Sequence, residues 1–157
     1  MLFFSFKNTL NFKCLVVSFW LSISCQIYAF ETTEGDGFSS FLSQVEVLKD
    51  ESPTQALRLL NTFESKYVYL KLEEQLKYIN LEAQIYLDQA QFKAAKIATD
   101  KALILTAQLS SPSIVIAELF YSRGFAIESL GNLTQATQDY LSGLELSKSL
   151  NNKKFIA

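Results

Sequence analysis

Histidine is absent from this sequence, and cysteine nearly so: Cys14 and Cys25 both fall within the first 29 residues. Beyond them the chain has no imidazole and no thiolate, which removes the commonest general base, the commonest soft nucleophile and the usual zinc ligands. No disulfide can form there either, so anything folded must be held by core packing. Glycine is scarce. Gly35 and Gly37 lie in a polar stretch and the other three are dispersed, so no glycine-rich phosphate loop exists. Strong positive charge is also missing. Setting aside Lys7 and Lys13 leaves 12 basic against 16 acidic side chains, a net of −4, which is no electrostatic footprint for DNA or RNA. No basic amphipathic segment points to a membrane surface. Glu73 and Glu74 are adjacent, so on a helix they point apart and cannot flank one bond. Glu73 with Lys77 is the spacing of a surface ion pair. The sequence predicts no catalytic group, no cofactor and no metal.

The first 29 residues stand apart. They carry Lys7 and Lys13, no acid, a 12-residue apolar run from Cys14 to Cys25, and a small-residue site ending at Ala29. That is the layout of a secretory signal cleaved before Phe30. A short uncleaved anchor is the alternative, with 17 residues between Lys13 and Glu31. Lipidation at Cys25 is a third, although Ser22 stands where such sites usually carry leucine. Residues 30–37 follow as a polar, aperiodic, flexible tether. The expected location is therefore periplasmic or secreted.

From Phe38 the pattern is helical throughout, and no alternating strand pattern occurs. Both prolines fall where helices begin. Ser52-Pro53-Thr54-Gln55 predicts a capping box and Ser111-Pro112 a second serine–proline start. Six helices are expected, at about 38–50, 53–67, 71–88, 91–109, 113–130 and 133–150, joined by turns short enough to make neighbours antiparallel.

AQFKAAKIATDKALIL, residues 90–105, returns 41 positions later as GNLTQATQDYLSGLEL, residues 131–146, with few identities. Size is what repeats. Ile79, Ala83 and Tyr86 match Phe120, Gly124 and Ile127; Ala90, Phe92, Ala95 and Ala102 match Gly131, Leu133, Ala136 and Gly143. Small residues let two helices approach to 8–10 Å while a bulky partner fills the groove. Ala83 with Ala95, and Gly124 with Ala136, are the predicted close-approach points of two hairpins. Ala102 and Gly143 are predicted to admit the next helix.

On these residues the chain resembles the tetratricopeptide repeat, over about 71–150 and more loosely over 38–67. It departs from that family in its period of 41, in lacking a proline after the second helix, in Thr99, and in Glu82 and Arg123 where leucine is common. The resemblance implies an all-α fold, a right-handed superhelical stack of about three antiparallel hairpins (38–67, 71–109 and 113–150) within a domain of 38–157; a plain helical bundle is the alternative. It also implies a concave groove lined by the first helix of each hairpin. The residues expected there are Lys77, Asn80, Gln84 and Asp88, then Glu118, Tyr121, Phe125 and Glu128, as a surface for an extended peptide or a partner helix or else as plain solvated faces.

Lys153–Ala157 looks like the first turn of a further helix, with Ala136, Tyr140, Gly143 and Leu144 expected at an uncovered end face. The expectation is thus a chain truncated at its C-terminus, with self-association through its last helices. An exported chain of loose repeats also resembles the sensor halves of bacterial diguanylate cyclases of the GGDEF type. The function expected is a non-catalytic module for protein or peptide binding; the alternative is the periplasmic input domain of such a signalling enzyme. Membrane contact is expected only through an uncleaved N-terminal anchor or a downstream segment.

Overall fold

The computed structural model describes residues 34–151. Signal, anchor and lipidation readings for 1–29, and the turn at 153–157, fall outside them. The chain divides into two compact units, Met1–Ser40 and Phe41–Ala157. Only the opening of the first helix belongs to the described part of the former; every other helix belongs to the latter.

All regular structure among the described residues is helical. The α-helices are α1 (Glu34–Glu51), α2 (Pro53–Asn61), α3 (Leu72–Asp88), α4 (Phe92–Leu105), α5 (Ile114–Ser129) and α6 (Leu133–Ser149), with 3₁₀ segments at Glu64–Tyr69 and Thr106–Gln108. Three boundaries differ from the sequence pattern. Helix α1 starts at Glu34, inside the segment read as a tether. The segments expected to end at 67 and 109 leave the α conformation at Asn61 and Leu105 and tighten into 3₁₀ turns, a common way for a helix end to satisfy its last carbonyls.

The predicted capping box at Ser52 is not formed. The Ser52 side chain makes no capping hydrogen bond. Its N–H already donates to the Leu48 carbonyl at 2.7 Å, so no free cap donor remains for Gln55. A single residue thus separates α1 from α2. Likewise Ser113, not Ser111, precedes α5, and its hydroxyl donates to Glu73 Oε1 at 3.1 Å rather than capping. The N-terminus of α6 is capped by Asn132, whose Oδ1 accepts from the Gln135 N–H at 3.2 Å.

The 41-residue repeat is written into the backbone of the two tight turns. Ala90 and Gly131 both adopt the left-handed conformation, at φ 55° and 89°. The next N–H reaches back five residues in each turn, Gln91 to the Tyr86 carbonyl at 2.8 Å and Asn132 to the Ile127 carbonyl at 3.1 Å. This is the glycine-favouring helix stop that satisfies terminal carbonyls while reversing the chain.

Helix α3 packs on α2, α4 and α5, and α5 packs on α4 and α6. Leu60, Leu76, Ile85, Val115, Leu119 and Ile127 form the fully enclosed core. All six predicted small positions are buried: Ala83, Ala95, Ala102, Gly124, Ala136 and Gly143. One of them, Gly143, meets partners other than those expected. A Cβ on Gly143 would lie 3.1 Å from the Tyr121 ring and 3.2 Å from the Ala117 carbonyl, so Gly143 serves the crossing within its own hairpin. A Cβ on Gly124 would lie 2.7 Å from the Tyr140 ring. Of the four residues expected at the end face, Ala136 and Gly143 are buried, while Tyr140 and Leu144 are half-buried. Helix α5 encloses Ala136 and Gly143, and Tyr140 is spread over Gly124, because the α5–α6 crossing consumes these residues. Leu133, placed opposite Phe92 in the repeat, is 63% exposed.

Candidate interaction face

Helices α3 and α5 meet along a polar seam. Asn80 is only 4% exposed. Its amide donates from Nδ2 to Glu118 Oε2 at 3.3 Å, and its Oδ1 accepts from the Ser122 hydroxyl at 2.9 Å. Each of its hydrogen-bonding ends is thus engaged, as a buried amide requires. Two turns earlier on α3, Glu73 accepts from Ser113 and also pairs with Lys77 at 3.4 Å. The Glu73–Lys77 pair predicted from spacing is present, with both side chains about half exposed (49% and 47%).

The eight residues expected to line one groove fall into separate groups. Asn80 and Glu118 form the α3–α5 seam, Lys77 pairs within α3 with Glu73, which reaches α5 through Ser113, and Gln84 lies one turn beyond Asn80 on α3. Asn80 is inside the seam rather than on a solvated face, while Gln84 and Glu118 are half-buried. Tyr121 instead lies against α6, its ring 6.0 Å from that of Tyr140. Glu128 accepts from the Tyr140 hydroxyl at 2.6 Å. Burial first, and then this bond, push the Tyr140 phenol well above its ordinary range. Phe125 makes an edge-on contact with Phe92 of α4 at 6.3 Å, and Asp88 pairs with Lys49 of α1 at 3.6 Å. An i, i+4 or i+7 spacing says which residues share a side of one helix; which neighbour covers that side is decided by packing.

Sequence reasoning missed a polar junction among α4, α5 and α6. Arg123 donates from Nε and Nη2 to the two carboxylate oxygens of Asp139, at 2.7 and 2.6 Å, and from Nη1 to Asp100 at 3.2 Å. Its guanidinium lies 5.5 Å from the centre of the Phe120 ring. Asp100 also takes Lys96 at 2.6 Å. The fork matches a carboxylate in two parallel bonds, the geometry that makes arginine distinct from lysine. A signal existed in the repeat itself. At the 41-residue spacing Arg123 replaces Glu82 and Asp139 replaces Ala98, so two opposite charges enter the same hairpin together.

A second missed cluster surrounds Glu82 on α3. Burial raises the carboxyl pKa, opposed by the Tyr86 hydroxyl, which donates to Oε1 at 3.4 Å, and then by Lys101 of α4, with Glu64 adding to the rise. Tyr78, whose ring is 5.3 Å from that of Tyr67, is pushed up to about 12, chiefly by burial. Its hydroxyl donates to the Leu60 carbonyl at 3.2 Å, whereas the buried Tyr67 hydroxyl has no hydrogen-bond partner.

An open depression of about 400 Å³ lies at the hairpin tips, lined by Ala90–Ala94 and Leu130, with Lys93 as its one charged residue. Among the described residues no three metal-ligating side chains come together, and no helix is long and apolar enough to cross a membrane. No protein-family model matches the chain, and neither curated proteins nor solved structures contain a match to it.

Proposed function

We propose that this chain is a non-catalytic tetratricopeptide-like module, a stack of helix hairpins that binds a protein or peptide along the exposed rim of the α3–α5 seam. One observation carries the reading. Asn80 ties α3 to α5 through Glu118 and Ser122, with Lys77 exposed and Gln84 and Glu118 half-buried beside that tie. Mixed amide and charged side chains on paired helices suit an extended peptide, whose backbone and polar groups need partners as it leaves water. Export is part of the reading, supported by Lys7, Lys13 and the apolar run after them.

Selection of peptides from a displayed library against the purified protein tests the binding reading. Peptides that bind should slow amide hydrogen exchange in α3 and α5, and Lys77→Glu with Gln84→Ala should weaken them at least about ten-fold, or roughly 1.4 kcal/mol. Binders that protect only α4 or α6, or that ignore both substitutions, would remove this face as the site. Export is tested by the mass of the protein recovered from the periplasm of a Gram-negative host, which should begin at Phe30; cytosolic protein retaining Met1 would refute it.

A further inference from the structure

Helix α4 presents an unusual side to solvent. Lys93, Ile97, Lys101 and Ile104 recur at intervals of four, four and three, so they share one side of the helix. The two lysines are exposed, and Ile97 and Ile104 are 68% and 74% exposed. Neither Lys93 nor Lys101 forms an ion pair with a described residue. Asp100 lies on the same side, but its charge is taken by Lys96 and Arg123. Lys101 acts on the Glu82 carboxylate without pairing with it, so the charge on this ridge that lacks an ion-pair partner is positive, on a chain whose net charge is negative.

Helix α1 carries the complement. Val47 is 65% exposed, and the exposed Glu46 and Glu51 stand beside it and one turn beyond it. Neither carboxylate forms an ion pair with a described residue, whereas Asp50 between them has Lys49 at 3.4 Å. Val47 and Glu51 on α1 therefore have the same four-residue spacing as Ile97 and Lys101 on α4, with the opposite charge. Ile97 and Ile104 are seven residues apart, about 10 Å along a helix axis, with Lys101 beside the space between them. Aliphatic knobs seated in such gaps and flanked by opposite charges are how helix pairs choose a partner.

We propose that two copies of this chain associate by docking α1 of one copy on α4 of the other, with Val47 seated between Ile97 and Ile104 and Glu46 and Glu51 facing Lys93 and Lys101. A single such contact is smaller than the roughly 800 Å² per partner of a stable interface. The association is accordingly weak and salt-sensitive, and each copy carries both halves of it. It is independent of peptide binding on the α3–α5 rim.

The test uses the full chain, expressed with its own N-terminus, mixing equal parts of unlabelled and heavy-isotope-labelled protein. Zero-length carbodiimide coupling should yield light–heavy linked peptides joining Glu46 or Glu51 to Lys93 or Lys101. Raising salt from about 50 mM to about 500 mM, which shortens the screening length several-fold, should cut their yield at least about five-fold. Lys93→Glu with Lys101→Glu should lose the links, as should Glu46→Lys with Glu51→Lys. Mixing the two reversed proteins should restore them, since each then offers what the other lacks. Absence of light–heavy links in the wild-type protein overturns the proposal, as do links confined to other surfaces such as α6, or failure of the mixture to restore coupling while circular dichroism shows both variants folded. The wild-type arm decides the matter even if a reversed variant fails to fold.

Discussion

Arg123 and Asp139 are joined by two parallel hydrogen bonds of 2.7 and 2.6 Å, and the carboxylate at their centre is only 6% exposed. A buried carboxylate with a two-pronged partner costs little while paired and much when the partner is removed. Arg123→Leu should destabilise the protein by about 3 kcal/mol in urea unfolding. Adding Asp139→Leu should recover at least half of that loss, because no orphaned charge then remains. Equal stability of the single and double variants would show that the pair is not coupled.

Gly124 and Tyr140 give a packing test. A methyl group at 124 would stand 2.7 Å from the Tyr140 ring, so Gly124→Ala should cost roughly 1–3 kcal/mol despite its gain in helix propensity. Combined with Tyr140→Ala the penalty from the added methyl should vanish, read as a positive coupling in a double-mutant cycle of urea melts.

Ala90, after α3, and Gly131, after α5, occupy the same left-handed turn, one with a Cβ and one without. No atom lies within 4 Å of a Cβ placed on Gly131, so substitution there reports backbone strain alone. Gly131→Ala should lose about 1 kcal/mol, while Ala90→Gly should be neutral or gain up to about 1 kcal/mol. The opposite sign at both positions would contradict the turn geometry.

Glu82 supplies a pH test with a definite sign. Burial raises its folded-state pKa above the ordinary 4.5, so its ionised form is a liability that the folded protein sheds as pH falls. Relative to the wild type, Glu82→Gln should raise the melting temperature at pH 7. That advantage should shrink as pH drops through the raised pKa and disappear below about 4, under the unfolded value. An advantage constant across this range would place the gain elsewhere.

Asn80 is the test of the seam. Asn80→Asp would set a carboxylate 3.3 Å from where Glu118 Oε2 now accepts a hydrogen bond, and should cost about 2 kcal/mol at pH 7 in chemical unfolding. Acidifying to about pH 4, where one of the two carboxyls can hold a proton, should recover much of the loss.

The amino-acid order determined the helical class and the place of nearly every helix, because both rest on local properties: periodic apolar residues, absent strand alternation and sparse turn residues. It also determined which positions are small at the crossings, since Ala83, Ala95, Ala102, Gly124, Ala136 and Gly143 are all buried. The tertiary structure decided what each of these meets. Gly143 receives Tyr121 and Ala117 of its own hairpin, and the eight residues expected in one groove part company among α1, α4, α5 and α6. Tertiary structure alone also made Asn80 an internal tie and Arg123 a junction, with partners 38 and 42 residues away for the one and 16 and 23 for the other. The physical reason is one of range. Helix formation and side-chain size are read within a few residues of chain, whereas the partner of a buried polar group is whichever element packing brings against it, and no spacing in one helix encodes that.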